Sequence, residues 1–68
     1  MFRQITHSQA LNLFNDDKFV LLYPAHIKPN KDSDMCPILK GQGEFDKLVT
    51  MYAQQPGIGK VKFYIREN

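Results

Sequence analysis

The chain carries one cysteine, Cys36, and its thiol has the widest chemical reach of any side chain present. A thiol becomes nucleophilic when a helix N-terminus or a nearby cation lowers its pKa. Lys31 and Lys40 act in that direction, and Asp32 and Asp34 act against it. No second cysteine stands by to resolve a mixed disulfide, and an isolated cysteine behaves as a small apolar residue. The expectation for Cys36 is therefore structural, with a single-thiol redox role as the rival.

Metal chelation needs disciplined ligand spacing. His7, His26, Asp32, Asp34 and Cys36 are scattered and match no zinc pattern. Asp32-Ser33-Asp34 opens like a calcium loop, but Pro37 and Gly43 occupy the places where that loop needs its glycine and its final glutamate. Gly41-Gln42-Gly43 precedes a candidate helix, where backbone N–H groups can cradle phosphate. The third glycine of a dinucleotide fingerprint would fall on Asp46, which repels phosphate. Gly57-Ile58-Gly59-Lys60 ends like a phosphate loop, yet Gln54 stands where the first glycine belongs and Val61 where Ser or Thr belongs. No cofactor or metal is expected.

Two surfaces remain. Lys60, Lys62, Tyr64 and Arg66 alternate along the last apolar segment and would share one strand face. A basic face with an aromatic can hold single-stranded nucleic acid by phosphate contact and base stacking. Edge strands also carry Lys and Arg simply to block unwanted pairing. The second surface is the stretch from Ala25 to Gly43. Tyr23, Ile27, Met35, Ile38 and Leu39 give it apolar anchors, Lys28, Lys31 and Lys40 give it charge, and His26 belongs to the same candidate surface. A long irregular segment on a small scaffold is a natural recognition surface.

The net charge of +2, with no run of consecutive basic residues, ranks nucleic acid below protein as the expected partner. A single cysteine excludes an internal disulfide framework. No apolar run approaches the roughly 20 residues that span a bilayer. Without an N-terminal signal stretch, the expected location is cytoplasmic.

These residues need elements to position them. Phe2–Ile5 reads as a strand. Thr6 and Gln9 then fit a capping box, and Ala10, Leu11, Leu13 and Phe14 supply the stripe of a short helix, ended by Asn15-Asp16-Asp17. Phe19 to Tyr23 is a continuous apolar run, suited to a strand covered on both faces and stopped by Pro24. Residues 24–43 contain three of the four prolines and two of the four glycines, and they read as irregular. Phe45, Leu48, Val49 and Tyr52 mark a helix over Glu44–Gln54, ended by Pro56-Gly57. Lys60–Arg66 alternates as a strand, with Val61, Phe63 and Ile65 inward.

The order is βαβαβ, a single α/β domain over residues 1–68 with a long irregular segment at 24–43 and successive strands parallel. Should Met35–Leu39 pair with Phe19–Tyr23, the order becomes the ferredoxin-like βαββαβ. Pro37 and the nearby glycines argue against that inner strand. The succession of Ile5, the first helix, Lys18–Tyr23, Cys36-Pro37-Ile38-Leu39, the second helix and Lys60–Ile65 resembles the N-terminal βαβαβ portion of the thioredoxin-like fold. That resemblance implies a truncated relative. The family's Cys-x-x-Cys follows its second strand directly, whereas Cys36-Pro37-Ile38-Leu39 lies further on and holds one cysteine. The expected function is a non-enzymatic interaction module that binds another protein, or a second copy of itself, through residues 25–43. The rivals are a single-thiol redox protein using Cys36 and a nucleic-acid binder using the last strand.

Overall fold

The computed structural model describes residues 1–67; Asn68, the last residue of the expected 1–68 domain, lies outside them. The elements run β1 (Phe2–Ile5), α1 (His7–Asn15), β2 (Val20–Pro24), β3 (Cys36–Ile38), a 3₁₀ turn (Lys40–Gln42), α2 (Phe45–Ala53) and β4 (Val61–Arg66). The radius of gyration, 11.1 Å, matches the ~11 Å expected of one packed body of this length.

Local signals set the two helices. Gln9 N–H donates to Thr6 Oγ1 at 3.1 Å, and Thr6 N–H donates to Gln9 Oε1 at 2.9 Å, so the capping box forms as its spacing predicts. Helix α1 stops in a Schellman arrangement. Lys18 N–H reaches the Leu13 carbonyl, Asp17 N–H reaches Phe14, and Asp17 takes the left-handed conformation at φ 65°. Helix α2 begins after Gly43, whose φ of 144° suits only glycine, and Glu44 is its N-cap.

The sheet order is β1-β4-β2-β3, and every neighbouring pair is antiparallel. This corrects the expectation of a parallel βαβαβ sheet. β1 and β2 do run in the same direction, but β4 lies between them and pairs with both. Residues 24–43 are also less irregular than expected: β3 forms within them and pairs with β2, so the elements follow one another as βαββαβ, on a sheet ordered β1-β4-β2-β3.

Pro37 is compatible with β3 because β3 is an edge strand. Ala25 N–H donates to the Lys60 carbonyl at 2.9 Å, so the odd-numbered residues of β2 turn their peptide groups toward β4. The even-numbered residues turn theirs toward β3, which makes Val20–Ile38 and Leu22–Cys36 the hydrogen-bonded pairs. Pro37, opposite Leu21, then has its nitrogen on the outer side, where no N–H is needed. The next N–H along that edge, of Leu39, is taken by Gln42 Oε1 at 2.9 Å. The β3 edge is closed by proline and by a side-chain amide.

Both helices pack on one face of the sheet. The core joins Ala10 and Phe14 of α1 and Phe45 of α2 to Ile5, Val20, Leu22, Ile38 and Phe63. Phe14 meets Phe45 edge-on at 5.2 Å, and Phe45 stacks on Phe63 at 5.6 Å. Ile38, an expected partner-binding residue, is 4% exposed and belongs to this core. The reason is parity: Ile38 opposes Val20, whose side chain points to the helices.

Candidate surface on the uncovered sheet face

The opposite sheet face has no helix on it. The register places Phe2 and Gln4 of β1, Lys62, Tyr64 and Arg66 of β4, Leu21 and Tyr23 of β2, and Pro37 of β3 there. Phe19, just before β2, is 60% exposed, while Leu21 and Tyr23 are half-buried. The apolar run from Phe19 to Tyr23 is therefore covered on one face by helices and on the other only in part, not on both as expected.

Tyr64 is the exception on this face. It was expected to lie exposed among the lysines, but it is 5% exposed. Tyr23 approaches it edge-on at 6.4 Å, and residues 25–29 and 33–35 border clefts on this face. Burial, and then Tyr23, push its phenol above the ordinary tyrosine pKa of 10.0, so it remains a donor at neutral pH. A ring this enclosed has no face free for a base.

The segment 25–35 is pinned at its start and folded in its middle. Ala25 bonds to Lys60, and Ile27 N–H donates to the Pro24 carbonyl. Asp32 N–H donates to Asn30 Oδ1 at 2.8 Å, and Asn30 N–H donates to Ser33 Oγ at 2.7 Å, forming a side-chain-stabilised turn. Asp32 and Ser33 belong to that turn, and Asp34 lines the first cleft beyond it. Among the described residues no three His, Cys, Asp or Glu side chains converge as a metal would require.

Two clefts flank this segment. The first, about 500 Å³, is bordered by Phe2, Phe19, Leu21, Met35, Pro37 and Arg66. Arg66 lies over the Phe2 ring at 5.5 Å, a cation–π contact. The second, about 460 Å³, brings His26, Ile27 and Lys28 of the loop beside Lys62 and Tyr64 of β4. Of the residues singled out from the sequence, Met35 and Arg66 line the first cleft and His26, Ile27, Lys28, Lys62 and Tyr64 the second, whereas Tyr23 and the core residue Ile38 line neither. Lys31 and Leu39 line neither cleft, and Lys60 contributes its carbonyl to Ala25. Phe2 and Phe19 were not anticipated. The signal was available in the parity of Phe19, Leu21 and Tyr23, which sets them opposite Val20 and Leu22.

The remaining candidates lie on the helix side or in turns. Cys36 opposes Leu22, is half-buried, and packs against the core. His7 is exposed, in the first turn of α1, with its ring edge-on to Phe45 at 5.3 Å and Phe63 at 5.6 Å. Gly57 and Gly59, at φ 83° and 66°, shape the turn into β4.

Comparison with protein-family models, with curated proteins and with solved structures finds no match to this chain. The class rests on its own geometry: a small α/β domain of two helices on a four-stranded antiparallel sheet. Among the described residues no helix is long and apolar enough to cross a membrane.

Proposed function

We propose that this protein is a non-enzymatic binding module that docks another protein on the uncovered sheet face and the 25–35 segment. One observation carries the reading: Phe19, 60% exposed, adjoins half-buried Phe2, Leu21 and Met35 on a face with no helix across it. An exposed aromatic ring set beside further apolar side chains is the kind of anchor that protein interfaces use. The loop brings Met35 to this patch and carries Ile27, itself 43% exposed, to the neighbouring cleft. Base stacking on Tyr64 has lost its support, because that ring is enclosed.

The test is affinity capture with the tagged chain, with and without nuclease. The reading expects a stoichiometric protein that survives nuclease treatment. Capture of nucleic acid alone, lost on nuclease treatment, would replace it with the nucleic-acid reading.

A further inference from the structure

The two clefts differ in charge. The one beside Phe19 holds Asp34 as well as Arg66, so its charges offset. The one beneath the start of the loop is lined by Lys28, Lys62 and His26, and among the described residues no acidic side chain lines it. Its other polar side chains are Gln4 and Tyr64, both able to donate. Tyr64 is 5% exposed, and its hydroxyl makes no hydrogen bond to the other described residues. Beside these donors, Ala25, Ile27 and Pro29 form an aliphatic shelf.

We infer that this cleft binds an acidic peptide segment of the partner protein, with a carboxylate held by Lys28, Lys62 and His26 and a neighbouring aliphatic side chain seated on Ile27. The inference rests on the binding-module reading and adds the partner's chemistry to it. Two ammonium groups and a set of donors complement a carboxylate. The cleft is an open depression of about 460 Å³, which suits a segment lying along the surface rather than an enclosed ligand. Nucleic acid fits less well, because the cleft offers no open aromatic face. Tyr64 is enclosed and engaged by Tyr23, and Arg66 lies over the Phe2 ring.

The test uses the full chain, isotopically labelled, titrated with a short synthetic peptide alternating Glu and Leu and blocked at both ends. Controls are the same peptide with Gln for Glu, and oligothymidylate. The expected result is saturable shifts of the amides of residues 25–28 and of Lys62 and Tyr64. The Gln peptide should bind roughly tenfold more weakly, and so should the Glu peptide to the Lys28→Glu/Lys62→Glu variant. Both lysines are exposed, so that variant should keep its melting temperature. Equal binding of the Gln and Glu peptides, no shift at this cleft, or preferential binding of oligothymidylate there would each overturn the inference. The broader reading fails separately, through partner capture that ignores Phe19 and Met35.

Discussion

The rings of Tyr23 and Tyr64 meet edge to face, with centroids 6.4 Å apart and planes at 85°, on the sheet face that carries no helix. Tyr64 opposes Leu21 and Tyr23 opposes Lys62, so the two tyrosines are diagonal neighbours on adjacent antiparallel strands. Aromatic side chains reach each other across that diagonal. The contact removes Tyr64 from solvent on the side away from the core and leaves Phe19 at the margin. What remains uncovered is an apolar border with basic neighbours.

Burial first, then Tyr23, raises the Tyr64 phenol above 10.0; burial first, then Cys36 and Tyr23, raises that of Tyr52. The unfolded chain releases these protons near the ordinary value, and the folded chain holds them to higher pH. Their contribution to stability is full below about pH 10 and is lost as pH rises through the folded values. Native phenolate absorbance should therefore titrate above that of the urea-unfolded chain, and the melting temperature should fall through the same window. Coincident titrations would contradict the burial.

At the ends of α1, two substitutions should act in opposite directions. Thr6→Ala removes the acceptor for Gln9 N–H and should cost about 1 kcal/mol. Asp17→Gly relieves a left-handed residue at the helix end and should stabilise by roughly 0.5–1 kcal/mol. Urea unfolding measures both, and equal signs would contradict the capping account.

The two sheet faces predict different sensitivities. Ile38→Ser cuts a buried core side chain and should destabilise by about 2–5 kcal/mol. Phe19→Ser removes an exposed ring and should fall within about 0.5 kcal/mol of the parent. Comparable losses at the two sites in chemical denaturation would show that the faces are misassigned.

Closure of the β3 edge is also testable. Pro37→Val combined with Gln42→Ala exposes two outward N–H groups, those of residues 37 and 39. Open edges invite pairing between chains, so self-association should rise above that of the parent in sedimentation. A variant no more associated than the parent would mean that the edge is protected by other means.

Much of this fold is legible in local sequence. Thr6 and Gln9 announce α1, the stripe from Phe45 to Tyr52 announces α2, and the alternation from Val61 announces β4, because each signal lies within one or two turns or a few strand residues. β3 is legible only as the less favoured alternative, a strand within Met35–Leu39, since three residues around a proline carry no periodicity and Pro37 is acceptable only once the strand is known to be at an edge. The antiparallel order depends on β4 inserting between β1 and β2, a non-local pairing that no short window records. Alternation sets Tyr64 on the outer face without saying what covers it, so its burial is not legible. The candidate surface was legible in part: His26, Ile27, Lys28, Met35 and Lys62 border the two clefts, whereas Phe2 and Phe19 needed the register.

The central claim is that the uncovered face is the docking surface. The most direct measurement is nuclease-treated affinity capture by the parent chain and by a Phe19→Ser/Met35→Ser variant, each first shown to melt cooperatively. Phe19 is exposed and Met35 is half-buried outside the core, so the variant should stay folded. The account predicts that the parent retains a stoichiometric protein and that the folded variant loses it. Undiminished capture by the folded variant would contradict it.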